Sequence, residues 1–83
     1  MTLLYFAWVR QKTGLGEEHV ALPSHVHTIA ELMEFLRARG AGYADAFSDP
    51  GRLRAALNQE HAPFHAQLCD EDEVAFFPPV TGG

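Results

Sequence analysis

The fold is decided by a hydrophobic strand that runs into two prolines and then two glycines, Val74-Ala75-Phe76-Phe77-Pro78-Pro79-Val80-Thr81-Gly82-Gly83. Each proline ring fixes φ and removes an N–H donor, so the strand is expected to end at Phe77. The two glycines have no Cβ, and their backbone can enter a slot too narrow for any side chain. We therefore predict a folded domain over residues 1–77 and an extended tail over residues 78–83 that delivers a carboxylate to a partner. A frayed chain end is the alternative interpretation.

Length and composition restrict the class of protein. The 83 residues allow one domain near the lower size limit for a self-supporting core, and a hydrophobic share of 47% supplies that core. A net charge of −5 with scattered basic residues argues against nucleic-acid binding and favours a basic protein partner. The apolar start has no basic region before it and is interrupted by Arg10, so neither a signal peptide nor a membrane span is expected. Cys69 is the single cysteine, which agrees with a reducing, cytoplasmic location.

Hydrophobic periodicity predicts the elements of the first half. Residues 3–9 are a dense aliphatic and aromatic run, typical of a buried strand in mid-sheet, and a glycine-containing turn leads to a second strand over residues 18–22. These two strands are expected to form a hairpin. Thr28 and Glu31 match a capping box at the start of a helix, and Gly40 is placed to end that helix in left-handed conformation. The apolar stripe of the helix, which should cover the sheet, consists of Ile29, Leu32, Met33 and Leu36.

The second half adds a helical turn and three strands, which complete the predicted fold. We expect the helical turn over residues 43–47 and a strand over residues 53–57. A short return strand follows over residues 61–64, and the last strand covers residues 74–77. The first and last strands are the most apolar and should lie side by side in mid-sheet, in parallel, because the hairpin and the crossover place them so. The expected fold is thus α+β, a β-grasp roll with a mixed sheet of about five strands and one main helix packed across it.

Three blocks of sequence carry a family likeness: Leu4-Tyr5-Phe6-Ala7-Trp8-Val9-Arg10, Ala56-Leu57-Asn58-Gln59-Glu60 and Asp72-Glu73-Val74-Ala75-Phe76-Phe77-Pro78-Pro79-Val80-Thr81-Gly82-Gly83. Through them the chain resembles, over essentially its full length, the small subunits of molybdopterin synthase. The last block is specific, whereas a bare Gly-Gly is shared with ubiquitin and other ubiquitin-like proteins. The resemblance implies a ubiquitin-like fold whose terminal Gly83 is adenylated and then converted to a thiocarboxylate. That sulfur would enter cyclic pyranopterin monophosphate to form the dithiolene of molybdopterin, a step of molybdenum cofactor biosynthesis.

The same resemblance implies that partner proteins carry out most of the chemistry. The expected partners are the large subunit of the synthase, a ubiquitin-activating-like adenylyltransferase that consumes ATP, and a sulfurtransferase or desulfurase as sulfur donor. The chain would be the small subunit of a heteromeric sulfurtransferase, not catalytic alone, with the active site on the large subunit and no cofactor bound to this chain. The residues implied to thread into the partner are Pro78, Pro79, Val80, Thr81 and Gly82. No nucleic acid and no membrane is expected among the partners.

Docking also needs a surface, and the last strand indicates where it lies. Phe76 and Phe77 point to opposite faces of the sheet, so at most one of them readily joins the helix-covered core. We assign Val74 and Phe76 to the core and leave Phe77 for the partner; a core position for both phenylalanines is the alternative. The resemblance also places Phe6 at this interface. It adds His61, in a neighbourhood where relatives often carry an aliphatic residue that faces the large subunit.

Other candidate residues receive ordinary interpretations. Cys69 has no basic neighbour to lower its pKa, so a structural or incidental role is favoured over a sulfur-handling one. His25 and His27 lack a third ligand in the sequence, and no metal is assigned. The acidic run over residues 70–73 is expected to be a solvated turn that can also steer a basic partner surface. Within it, Glu71 stands where relatives commonly have glycine, which implies a different turn shape or backbone strain.

Two other functions remain open at this point. A ubiquitin-like modifier, or a sulfur carrier for thiamine or transfer-RNA thiolation, would use the same activated tail with a different acceptor. A plain binding module would have an inert tail, and its function would survive deletion of Gly82-Gly83.

Overall fold

The computed structural model describes residues 1–79, so the predictions made for Val80, Thr81, Gly82 and Gly83 lie outside the described residues. The strands are β1 (Thr2–Tyr5), β2 (Glu17–His19), β3 (Arg54–Leu57), β4 (Glu60–Ala62) and β5 (Glu73–Phe77). The helices are α1 (Ala7–Thr13), α2 (Ile29–Arg37), α3 (Ala41–Ala46) and a single 3-10 turn (Pro50–Arg52).

The strands form one mixed sheet in the order β2-β1-β5-β3-β4. β1 and β5 are parallel neighbours, with Leu3 opposite Val74 and Tyr5 opposite Phe76, and the other pairs are antiparallel. The predicted β-grasp roll, with its most apolar strands paired in parallel at the centre, is confirmed. β5 is the middle strand, so everything that follows it in the chain leaves from the centre of the sheet.

The main helix, α2, starts where the sequence predicts. The Glu31 amide donates to Thr28 Oγ1 over 3.2 Å, and the Thr28 amide donates to Glu31 Oε1 over 3.1 Å, which completes the capping box. The four residues of the predicted apolar stripe are all buried against the sheet. The predicted helix end is wrong, because α2 ends at Arg37 and Gly40 adopts φ 158° and ψ 174°, away from left-handed helical values, where it precedes α3.

The prediction of one strand over residues 3–9 is also wrong in its second half. The strand ends at Tyr5, and Ala7, with φ 54°, turns the chain into α1, whose Val9 is buried in the core. A short apolar run fits a buried strand and a buried helical turn equally well, so periodicity did not separate them. β1 and β2 are antiparallel neighbours as expected, but a helix joins them instead of a tight turn. β2 is also shorter than the predicted 18–22 strand, because its contact with the first strand ends one residue after His19, where Val20 and Met1 exchange hydrogen bonds.

Three buried aromatic side chains fill the space between the sheet and the helices. Phe47 packs edge-on against Phe76 with ring centroids 5.0 Å apart, and Tyr5 lies within 6.4 Å of both rings. Phe47 follows α3, the element that the sequence predicts as a helical turn over residues 43–47. These contacts bury Phe76 completely, and they fix the position of β5 relative to the helices.

The turn between β3 and β4 is tied to the start of β5. Asn58 and Gln59 both have positive φ, and the Asn58 side chain accepts from the Glu73 amide and donates to Asp72 Oδ1, each over 3.0 Å. The nearby Glu71 is not among the residues with positive φ, so the turn that holds glycine in relatives forms here without the strain of a left-handed residue.

Candidate functional site

The candidate site is the end of the sheet where the chain leaves β5. Phe77 is the last residue of the strand, opposite Arg54 of β3, and Phe6 on the other side donates its amide to the Phe76 carbonyl over 3.1 Å. Pro78 and Pro79 follow outside any strand and are half-buried. The tail therefore starts between two neighbouring strands, at a point that the surrounding ladders hold in place.

The two phenylalanines of β5 face opposite sides of the sheet, as the alternation of side chains requires. Phe76 is fully buried on the side of the helices, together with Val74, whereas Phe77 is half-buried on the other side, which we call the open face. Phe6 continues the alternation after buried Tyr5 in extended conformation, so it also belongs to the open face, where it is 48% exposed. The assignment of Val74 and Phe76 to the core is confirmed.

His61 completes the set of predicted docking residues on the open face. Its ring lies edge-on to the Phe77 ring, with the centroids 5.3 Å apart. The structure therefore brings Phe6, Phe77 and His61 together on one face beside the start of the tail. Their role in docking stays a prediction.

Sequence reasoning missed the rest of the open face. One register row across four strands places Leu4, Ala75, Ala56 and His61 side by side. The three apolar members of this row are half-buried or buried. They form a floor on the open face, next to Phe6 and Phe77. The sequence does carry a signal for this floor, because each of its apolar residues alternates with a core residue of its strand. Only the strand order shows that these residues lie side by side.

Away from the open face, Glu18 of β2 holds the helices to the sheet. Its carboxylate accepts hydrogen bonds from the hydroxyls of Tyr5 and Tyr43, over 2.7 and 2.8 Å, and pairs with Arg39 over 2.8 Å. Burial alone would raise the pKa of Glu18, but these three hydrogen bonds together lower it below its ordinary value. Burial raises the pKa of the Tyr5 hydroxyl, and the hydrogen bond to Glu18 raises it further. The network is structural, because its carboxylate is enclosed by donors from β1, α3 and the segment after α2 and lies on the helix side of the sheet, away from the open face.

The remaining candidates lie elsewhere. Cys69 is exposed and precedes β5, at the end of that strand opposite to the tail exit, which gives it no contact with the site. His25 and His27 are exposed, and within residues 1–79 no three potential metal-ligating side chains come together. Asp70 accepts from the Leu22 amide over 2.8 Å, so part of the acidic run supports the loop that precedes α2.

Fold and site together define a small β-grasp protein in which the central strand leads directly into Pro78 and Pro79. A family model described as "ThiS family" matches residues 3–83, and the chain belongs to this family. Within residues 1–79 no helix is long and apolar enough to cross a membrane.

Curated relatives and a solved structure make the likeness more specific. The chain is 43% identical over 81 residues to the molybdopterin synthase sulfur carrier subunit of Escherichia coli, which covers 98% of this chain and 96% of that protein. It is 35% identical over 83 residues to the protein of the same name from Haemophilus influenzae, with 100% and 99% covered. The structure of a putative molybdopterin converting factor, subunit 1, from Pyrococcus furiosus superimposes with a TM-score of 0.75 at 28% identity and covers 95% of both chains. The resemblance to small subunits of molybdopterin synthase is thereby confirmed.

Proposed function

We propose that this chain is the sulfur-carrier subunit of a molybdopterin synthase and that Gly83 carries the sulfur as a thiocarboxylate. The observation that carries the proposal is the tail sequence Pro78-Pro79-Val80-Thr81-Gly82-Gly83, which continues the central strand of a β-grasp domain. Curated relatives with the sulfur-carrier name, similar over nearly the whole chain, support it.

Activation of Gly83 comes first, because a carboxylate is a poor acyl donor whose leaving group would be oxide. A carboxylate oxygen attacks the α-phosphorus of ATP on the adenylating partner, pyrophosphate leaves, and an acyl adenylate forms. The terminal sulfur of a persulfide on the donor protein then attacks the carbonyl carbon, and AMP leaves. A thiol reduces the S–S bond of the resulting acyl disulfide and releases the thiocarboxylate. The thiocarboxylate sulfur attacks a carbon of cyclic pyranopterin monophosphate and displaces the oxygen substituent of that carbon, which leaves as a phosphate ester oxygen or as water. Water then hydrolyses the resulting thioester, which leaves the sulfur on the pterin and restores the carboxylate. Since a dithiolene contains two sulfurs, each product consumes two loaded tails.

The division of labour follows from this sequence of steps. The adenylating partner holds ATP, and the large subunit holds the pterin and supplies the cationic groups that stabilise developing charge. This chain contributes a tethered sulfur and a docking surface, so it is one subunit of a heteromeric enzyme and not catalytic alone. A cytoplasmic location is part of the proposal, because loading consumes ATP and the thiocarboxylate needs a reducing compartment.

Docking on the large subunit uses the tail and the open face together. The floor of Leu4, Ala75 and Ala56, flanked by Phe6 and Phe77, offers apolar area directly beside the start of the tail. Burying this area anchors the domain, and the extended tail then reaches the active site without a side chain at its last two positions.

The proposal is tested by the intact mass of the protein recovered from its native host, followed by fragmentation of the C-terminal peptide. We expect a population heavier by the difference between a sulfur and an oxygen atom, with the change located on Gly83. The control is a chain that ends at Thr81, which should never gain this mass. An isopeptide-linked remnant would indicate a modifier instead. A tail that stays unmodified with the adenylating partner, ATP and a sulfur donor supplied would overturn the proposal.

A further inference from the structure

The basic residues divide into paired and unpaired groups. Three of the six cations form ion pairs, in the pairs Lys12–Asp45, Arg37–Glu34 and Arg39–Glu18. The other three, Arg10, Arg52 and Arg54, have no carboxylate within 4 Å among residues 1–79. We call these three the arginine collar. Within this described part of the chain, these three arginines keep unpaired charges at the surface, although Asp and Glu outnumber Lys and Arg by 11 to 6.

The collar surrounds the point where the tail leaves the sheet. Arg54 lies opposite Phe77 in the β3–β5 ladder, on the open face, and its guanidinium donates only to the Leu53 carbonyl, over 2.8 Å. Arg10 lies on the opposite side of the exit, where its guanidinium approaches Gly16, whose carbonyl accepts from the Tyr5 amide. The two arginines thus flank β5 from the side of β3 and the side of β2.

Arg52 occupies the helix side of the same end. Its guanidinium lies over the ring of Trp8, 5.2 Å from the centroid, and keeps its charge exposed at the surface. Two carboxylates share the hollow beside it, Asp45, which pairs with Lys12, and Asp49, which accepts from the Gly51 amide. Among residues 1–79, Glu17, opposite Leu4, is the third carboxylate at this end. Together with Lys12 the collar sets four cations against these three carboxylates, so the balance of this end is slightly positive.

The excess negative charge lies at the other end of β5. The acidic run over residues 70–73 precedes the strand, and Glu60 lies next to it through the ladder that joins Leu57 to Val74. The molecule is thus polarised along its central strand, with the tail at the positive end. The net charge of the whole chain predicts a basic partner. The distribution of charge indicates instead that the partner which receives the tail meets the positive end of the molecule.

We propose that the arginine collar docks against carboxylates on the rim of the channel through which the large subunit takes up the tail. This inference rests on the proposed function and adds the chemistry of the contact. Charge complementarity of this kind orients an encounter and raises the association rate more than it raises final affinity. The collar is continuous with the open face, so apolar anchoring and electrostatic orientation act on one surface.

Two other anions could in principle pair with the arginine collar, the phosphate of the substrate and the chain's own terminal carboxylate, but both fit the geometry less well. Six residues separate the last position of β5 from the terminal carboxylate, a span of up to about 20 Å, which leaves the collar at the channel mouth and away from the substrate phosphate. The chain's own terminal carboxylate is a single charge and cannot pair with arginines on both sides of β5 at once.

The test compares charge-neutral variants for binding to the purified large subunit of the same organism, in a surface-based kinetic assay. R54Q and R10Q remove collar charges, R54K retains one, and R37Q is the matched control on the far side of the domain, where Arg37 pairs with Glu34. At about 50 mM salt we expect R54Q and R10Q each to weaken binding about fivefold, mainly through slower association. R54K and R37Q should stay within about twofold of the unchanged protein. At about 300 mM salt the differences should shrink, because exposed charges are then screened.

Each contrary outcome has a defined meaning. If R54Q and R37Q bind equally well, the collar has no role, while binding by the unchanged protein leaves the proposed function standing. If R54Q binds more tightly, the arginines hold the chain's own tail, and the proposal is overturned. A turnover assay run on the same variants separates a further case: if R54Q binds the large subunit normally and raises only the KM for the pterin precursor, the arginines contact substrate, and the proposal is likewise overturned. If the unchanged protein does not bind the large subunit at either salt concentration, both proposals fail.

Discussion

At the scale of single residues, the backbone conformation of Ala7 shapes the point where the tail leaves the sheet. Ala7 adopts φ 54°, and this turn ends β1, exposes Phe6 and sends Val9 into the core. A left-handed residue with a Cβ is strained by about 1 kcal/mol, and the core contacts on both sides of Ala7 hold it there.

Substitution of Ala7 should therefore depend on the shape of the new side chain. Ala7→Val places a β-branched residue at positive φ, and we expect a loss of about 1–2 kcal/mol in the free energy of unfolding. Ala7→Gly relieves the strain but increases the freedom of the unfolded chain, so it should be close to neutral. Urea denaturation of both variants checks this. Equal losses would show that the site responds to packing and not to backbone strain.

Phe76 and Phe77 offer the sharpest contrast between stability and docking. Phe76→Ala removes a fully buried ring from the aromatic cluster and should cost about 3–5 kcal/mol of stability. Phe77→Ala should leave the domain folded, because the ring is half-buried on the open face, and should weaken binding to the large subunit at least about tenfold. Thermal unfolding and binding measured on both proteins separate the two effects. A Phe77→Ala protein that binds normally would remove the open face from the interface.

Packing of the two short helices is the main feature at the scale of elements. α3 crosses α1 so closely that a Cβ on Gly42 would clash with the Lys12 carbonyl oxygen, and a salt bridge between Lys12 and Asp45 spans the same contact. This contact positions Trp8 and Arg10 of α1 beside the tail exit.

Gly42→Ala should consequently separate the two helices. Because the clashing atom belongs to the backbone, the helices must shift, and we expect a loss of about 2–3 kcal/mol. Ala44→Gly in the same helix is exposed and should cost only about 1 kcal/mol through helix propensity. Chemical denaturation compares them, and a Gly42→Ala protein as stable as the unchanged one would show that α3 can move freely.

The elements also show what the sequence can and cannot predict. The capping box of Thr28 and Glu31 is local chemistry, so α2 was found at the right residue. The apolar run over residues 3–9 predicts one strand, because a short apolar run fits a buried strand and a buried helical turn equally well, and only tertiary packing decides. Strand alternation predicts that Phe77 faces the partner, and the family resemblance predicts the same for Phe6. Leu4, Ala56 and Arg54 required the strand order, which no local pattern contains.

The Glu18 network couples distant parts of the whole molecule. Arg39 follows α2, Tyr43 belongs to α3 and Tyr5 to β1, and all three donate to one carboxylate on edge strand β2. The side chain of Glu18 is only 11% exposed, so the charge is well shielded and depends on these donors.

This coupling predicts how stability depends on pH. The pKa of Glu18 is lower in the folded protein than in the unfolded chain, so its contribution is fully present above the unfolded pKa and is lost as pH falls through the folded pKa. We expect Glu18→Gln to cost about 2 kcal/mol at neutral pH and to flatten the fall in stability below about pH 5. Glu17→Gln, on the exposed side of the same strand, is the control. Unfolding measured across pH would contradict the prediction if both variants kept the slope of the unchanged protein.

The position of β5 has a consequence for protein synthesis. β5 joins the β2–β1 pair to the β3–β4 pair, and it is the last of the five strands to leave the ribosome. A nascent or broken chain that lacks it holds two separate two-stranded ribbons, which are not stable in water. Cellular proteases remove such unfolded chains. The molecules that survive are therefore those in which the strand that bears the tail has already been made and inserted.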